Sequence, residues 1–434
     1  MFEDLTLDDL VIRSSSHTPF FGVYLAAHAI EDALCMCHAS VGCKVKTQQH
    51  LVGHDGVKDA HARRRYSQFI DEDLINGSTA QLEEEIIAWH RRQNPGLIIL
   101  DVSTPISLQG MSMAGVIQRM EAATGAHVIH VDARNYEEDY LSGYARTIGA
   151  ILNRLEWAKG KRQADEVSLL GVPFDRYEAD QTGDVSELRR LLFAAVGLKA
   201  KAVFFAGEKY AALKEAVNAR LHVLLPHAAS QAKVLKSLGL ESCEAGLPMS
   251  IAGTRRWLTG VAARVGAEKR ATAFVEHETA RVKPLLELAH RELAGRKFAV
   301  FADGPRCAGI LATLMEVDMV PVFVGALHFT GTKREQVAAD LRTHYGLELP
   351  AATGWVTNPT PEQVRKAPIQ DCEIVIGPTV EREQWGADRP VWLERGFPSN
   401  GRHYLFPAPT LGFSGALHLL QEVMHLVGPA RRRR

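Results

Sequence analysis

Residues 97–131 read LIILDVSTPISLQGMSMAGVIQRMEAATGAHVIHV, and this stretch decides the fold. An apolar run of strand length, 97–102, gives way to an amphipathic stretch of helix length, 113–123, and then to a second apolar run, 127–131. Strand, helix and strand in that order make a crossover that pairs the two strands in parallel. The same alternation continues along the whole chain, so the fold class is α/β, with mostly parallel sheets covered by helices.

Upstream, a helix is expected over 22–32, a strand over 33–38 and a helix over 79–92. The polar segment 157–165, rich in Lys and Arg, reads as a linker. A second unit restarts with a strand over 166–172 and continues through strands over 202–206 and 221–225. A third begins at Arg296, where the run 297–302 is followed by Asp303-Gly304-Pro305 and a helix-like segment, then by strands over 320–324 and 373–376. Between the last two, 267–294 is rich in Ala, Glu, Arg and Leu, with Pro284 as its single Pro and no Gly, and reads as a long helical connection. The expected organisation is three Rossmann-like units: 1–160, 161–290 ending in that connection, and 291–434 with a C-terminal helix.

Fifty Lys and Arg against 51 Asp and Glu leave no net charge to attract a polyanion, so neither nucleic acid nor an anionic membrane is expected as a partner. A small molecule or another protein is. The run Arg431 to Arg434 reads as a solvated tail. No segment approaches the ~18 to 20 apolar residues of a membrane helix, and the acidic start lacks the basic region of a signal peptide, so a cytoplasmic protein is expected. There is no Gly-x-x-x-x-Gly-Lys-Ser/Thr loop, so no ATP hydrolysis by that route. Gly-x-Ser-x-Gly and His-Glu-x-x-His are absent too, and Gly304 to Gly309 lacks the Gly-x-Gly spacing of a dinucleotide site.

Ligands of open parallel sheets bind beyond the carboxyl ends of strands. The segments that leave the first two such ends are Ala39-Ser40-Val41-Gly42-Cys43 and the loop 103–110, which share one rim of the first sheet. Cys43 is a candidate ligand there, with Gly42 allowing close approach of the backbone. Cys35 and Cys37 share a face of the preceding strand and point into one layer of packing, which makes core filling their plainer role. Cys243, Cys307 and Cys372 are isolated in sequence.

The order of these pieces resembles the nitrogenase component 1 family, which includes nitrogenase subunits, the cofactor-assembly scaffold and the dark-operative reductases of the chlorophyll pathway. His38 to Cys43 looks like the family's His-Gly-x-x-Gly-Cys segment, Glu72 to Gly77 like a segment leading to its Gly, and Thr104 to Gly110 like a loop that begins with Cys in cluster-rich members. Gly396 to His403, followed by Thr410 to Ala416, is similar to the closing segment of beta-type subunits. Where such members carry three cysteines, the matching positions here are His17, Cys43 and Thr104, so one thiolate remains.

The resemblance implies a beta-type subunit in which Cys43 supplies one ligand of a [4Fe–4S] cluster shared with an alpha-type partner. It implies an α2β2 heterotetramer, served by an iron-protein-like ATPase with its own [4Fe–4S] cluster, that reduces a small molecule, a tetrapyrrole first. Dinitrogen or a methylthio compound is the alternative substrate. A non-catalytic metallocluster scaffold is the alternative function, and a metal-free fold resembling periplasmic binding proteins is a third. His17 offers an imidazole that a helix cap also explains, Thr104 reads as a turn residue, and His403 either faces a pocket or holds a structural hydrogen bond.

Overall fold

The computed structural model describes residues 18–40, 42, 64–69, 71–103, 106, 111–133, 138–154, 160–173, 182–328, 332–386, 390–399, 401–402 and 406–428. Its strands are β1 (Ala33–Ser40), β2 (Arg64–Phe69), β3 (Leu97–Val102), β4 (His127–Val131), β5 (Gln163–Leu170), β6 (Lys199–Val203), β7 (Ala219–Leu224), β8 (Ser242–Glu244), β9 (Lys297–Asp303), β10 (Val320–Leu327), β11 (Gly354–Thr357), β12 (Ile374–Gly377) and β13 (Val391–Glu394). The longer helices are α1 (Pro19–His28), α2 (Thr79–Gln93), α3 (Met113–Thr124), α4 (Tyr140–Leu152), α5 (Thr182–Leu191), α6 (Ile251–Val265), α7 (Glu268–Leu293), α8 (Gly304–Met315) and α9 (Gly412–Val427).

The strands form three sheets, ordered β2-β1-β3-β4, β6-β5-β7-β8 and β11-β10-β9-β12-β13. Each of their pairings is parallel, as the alternating pattern requires. In every sheet the chain starts in the middle, moves to one side, then jumps back to the other, which is the doubly wound arrangement. The 26-residue α7 runs through Pro284 and is the long connection expected between the second and third sheets.

Several boundaries differ from the sequence expectation, each for a local reason. α1 begins earlier because Pro19 occupies its first position, where a fixed φ and a missing N–H cost nothing. β5 stops at Leu170 because Gly171 turns to φ +87°, and β6 stops at Val203 ahead of Phe205 at φ +64°. Residues 163–165 belong to β5 rather than to a linker; they are exposed, so their polarity hid a strand.

Side chains on β1 alternate between two cores. Leu34 and Met36 pack with Ile98 and Leu100 under α2 and α3, while Cys35 and Cys37 pack with Leu97 and Ile99 against α1. α1 and α4 cross so closely that a Cβ on Gly22 would sit 1.7 Å from the Tyr140 carbonyl oxygen, and one on Gly143 would sit 1.9 Å from that of Pro19.

The C-terminal segment that resembles a beta-type closing motif stitches the sheets together. Phe397 lies against Phe21 of α1 and Tyr140 of α4, with ring centroids 6.3 and 4.6 Å apart. Asp184 of α5 accepts from the backbone N–H groups of Thr410, at 2.5 Å, and Leu411, at 2.8 Å, and from the Thr410 hydroxyl at 2.7 Å. One short stretch thus contacts elements around all three sheets.

Candidate functional site

In the first sheet the strand order reverses between β1 and β3, so the crevice beyond their carboxyl ends is the position where doubly wound sheets bind ligands. The two ends are tied: Ser103 donates its N–H to the His38 carbonyl at 3.0 Å. β1 ends three residues before Cys43 in sequence and β3 ends two residues before Thr104. At the opposite end, Gly96 donates to the Asp32 carbonyl at 2.9 Å, which places the turn after α1 at the amino edge. α1, about 15 Å long at 1.5 Å per residue, therefore starts near the carboxyl rim, on the side of position 17. Cys43, His17, Thr104, His403 and Arg431 to Arg434 themselves lie outside the described residues.

His38 fixes the end of β1. It is fully buried, with Nδ1 2.5 Å from the Ser67 hydroxyl on β2 and Nε2 2.7 Å from the Ser78 hydroxyl just before α2. Burial pushes its pKa down to about 4 against a smaller opposing pull from Asp73, so the ring is neutral at neutral pH. A neutral imidazole has one donor and one acceptor nitrogen, and each finds a hydroxyl. Cys43 follows five residues later in sequence, after a pinned strand end.

On the other face of β1, Cys35 and Cys37 hold their sulfurs 3.7 Å apart. Strand register sets Asp101 of β3 directly beside Cys37, and one carboxylate oxygen and the two Sγ atoms all lie within 4.8 Å of one another. All three residues are buried, and together they form a candidate metal site. Sequence reading placed the two thiols on one face but missed Asp101. The signal was an acid in an otherwise apolar strand; what it sits beside depends on register. Burial raises the thiols of the remaining described cysteines: that of Cys307 well above its ordinary value, that of Cys372 to about 11, and that of Cys243 upward.

A second polar cluster sits at the carboxyl end of β9. Asp303 caps α8, accepting from the Arg306 N–H at 3.2 Å and from its guanidinium at 2.7 Å, while His227 Nε2 lies 3.0 Å away. Burial alone would raise the Asp303 pKa, yet Arg306 and His227 hold it well below the usual carboxylate range. Nearby, His328 stands edge-on to Tyr140 and 3.4 Å from the Phe397 carbonyl, its pKa lowered to about 4 by burial. Arg306 and Arg395 line a cavity of about 20 Å³ here. That is room for about one water, so the cavity holds no organic substrate.

Three doubly wound sheets in one chain, with a ligand rim on the first, define a multi-unit Rossmann-like protein. The family described as nitrogenase component 1 type oxidoreductase matches residues 18–427, and the chain belongs to it. The nitrogenase molybdenum-iron protein beta chain of Nostoc sp. is 21% identical over 429 residues, covering 93% of this chain and 81% of that one. The light-independent protochlorophyllide reductase subunit N of Acidiphilium rubrum is 25% identical over 339 residues, covering 74% and 76%. A solved structure titled "Nitrogenase Cp1 at pH 6.5" superposes with a TM-score of 0.81 at 19% identity, covering 98% of this chain and 94% of that one. The chain is thus an oxidoreductase subunit of the nitrogenase-like class, similar to beta-type chains. Among the described residues, no helix is long and apolar enough to cross a membrane.

Proposed function

We propose that the chain is the beta-type subunit of an ATP-dependent, nitrogenase-like reductase and shares a [4Fe–4S] cluster with an alpha-type partner. The observation that carries this reading is the switch-point rim: β1, which precedes Cys43 in sequence, and β3, which precedes Thr104, end side by side, joined by the Ser103 to His38 hydrogen bond. Of the three positions in the sequence that resemble cluster-ligand positions, 17, 43 and 104, one carries a thiol. A single thiolate fits one corner of a cluster whose other ligands come from a partner.

The cluster, when bound, supplies one-electron transfer. This chain's share is to present the Cys43 thiolate from a rigid strand end, held by His38, Ser67 and Ser78, and to wall the rim. Substrate binds in the partner or at the interface, as the likeness to beta-type chains implies. A tetrapyrrole is the preferred substrate, supported by similarity to a protochlorophyllide reductase subunit over three quarters of the chain. Electrons come from a separate iron-protein-like ATPase, since the chain has no phosphate loop of its own.

The test is reconstitution: the chain, its alpha-type partner and the ATPase are mixed anaerobically with reductant, ATP and protochlorophyllide. ATP-dependent loss of the substrate's absorption band supports the reductase. A complex that carries a cluster but hydrolyses no ATP and reduces neither a tetrapyrrole nor dinitrogen is a scaffold, and the reductase reading fails.

A further inference from the structure

We infer that Cys35, Cys37 and Asp101 form a second metal site, separate from the Cys43 rim, that takes one thiophilic divalent ion of the zinc type and clips β1 to β3.

The sulfur spacing is the first argument. Two thiolates on a tetrahedral ion at about 2.3 Å each stand about 3.7 to 3.8 Å apart. The separation of the two sulfurs here is 3.7 Å. Asp101 supplies a third ligand atom within 4.8 Å of both sulfurs, and a modest side-chain rotation brings it to the roughly 3.5 Å that a tetrahedral ion asks of an oxygen and a sulfur. The fourth position is left for a water or a backbone carbonyl.

The alternative chemistry for two close thiols is a disulfide, and strand geometry opposes it. Residues i and i+2 on a strand have Cα atoms about 6.4 to 6.8 Å apart, at the long limit for a disulfide. Closing them would buckle β1 where it is paired on both sides, by β2 and by β3. An ion needs no such movement.

Electrostatics gives the third argument. The cluster lies in an apolar layer with Phe21, Tyr24, Ile99 and Ile129. Two thiolates and a carboxylate are all anionic when ionised, and held within 4.8 Å in such surroundings they repel one another. A divalent cation reverses that balance, since metal binding displaces the protons and the freed ligands bind it in turn. Because Cys37 and Asp101 are register partners on the two strands that bound the switch-point crevice, an ion here fixes the spacing of the rim from below.

The experiment uses the full chain with its alpha-type partner, produced in zinc- or cadmium-supplemented medium, in wild type, Cys43→Ala, Cys35→Ser/Cys37→Ser and Asp101→Asn forms. The expected result is about one zinc or cadmium per chain in wild type and in Cys43→Ala, a thiolate-to-cadmium charge-transfer band, and X-ray absorption showing two sulfur neighbours at about 2.3 Å from zinc. The cysteine double variant loses the ion and the band; Asp101→Asn binds at least tenfold more weakly. The site is refuted if wild type holds no such ion, if its zinc has no sulfur neighbours, or if content is unchanged in the double variant. Should the double variant fail to fold, the absorption spectrum of the wild-type protein decides alone. Iron that depends on Cys43 is read separately on the same samples, so the two sites stand or fall independently.

Discussion

His38 is a buried histidine whose two nitrogens are both used, and it anchors the end of the strand that precedes Cys43 in sequence. Replacing it by Ala leaves the hydroxyls of Ser67 and Ser78 facing each other across a hole, both fully buried. The expected cost is about 1 to 3 kcal/mol for the unsatisfied groups alone, read as a lower unfolding midpoint in denaturant. The Asp303 cluster makes a sharper case. Arg306→Met removes the guanidinium that offsets a wholly buried carboxylate, with an expected loss of roughly 3 to 5 kcal/mol, measured in the same way. At this scale the sequence was only partly legible. Cys43 stood out because it follows Gly after a strand, and His38 only as part of a motif. Asp303 reads from the sequence as part of a turn and His227 carries no signal of its own, because the two are 76 residues apart and meet only through packing.

At the scale of elements, the α1–α4 crossing positions the layer that covers Cys35 and Cys37. Gly22→Ala or Gly143→Ala drives a methyl into a backbone carbonyl that has no rotamer to escape to. Each is expected to lower stability by roughly 1 to 3 kcal/mol or more, seen as a drop in the thermal midpoint, whereas Gly260→Ala on the open side of α6 should not. The buried strands were legible because a strand covered on both faces reads as a continuous apolar run, as β3 and β9 do. β2 was not, since Arg64-Arg65-Tyr66-Ser67-Gln68-Phe69 at a sheet edge has a polar face. β11 and β13, four residues each at the edges of the third sheet, are too short for periodicity to register. Pairing and register supplied what pattern alone did not.

In the whole molecule, the first and third units meet where Phe397, Tyr140 and His328 pack together, and this junction makes the fold sensitive to acid. His328 has a pKa near 4 when folded and about 6.5 when unfolded, so above about pH 6.5 neither state holds the extra proton. Between those values the unfolded chain binds more protons, so stability falls as pH drops, by up to about 1.4 kcal/mol per unit, and levels off below 4. His328→Gln should flatten that slope by one proton's worth between pH 6.5 and 4, measured as the unfolding midpoint against pH. The closing segment explains why the chain's end was its most recognisable part: Gly396 to Ala416 touches elements of all three units, so its residues answer to many neighbours at once. The reductase account as a whole turns on Cys43. The direct measurement is anaerobic co-purification with the alpha-type subunit, wild type against Cys43→Ala, reading iron content and the EPR spectrum after dithionite reduction. The account predicts about four irons per heterodimer in wild type and a lost or altered signal in the variant. Iron absent from wild type, or a variant identical to it, would contradict the account and leave Cys43 a packing residue.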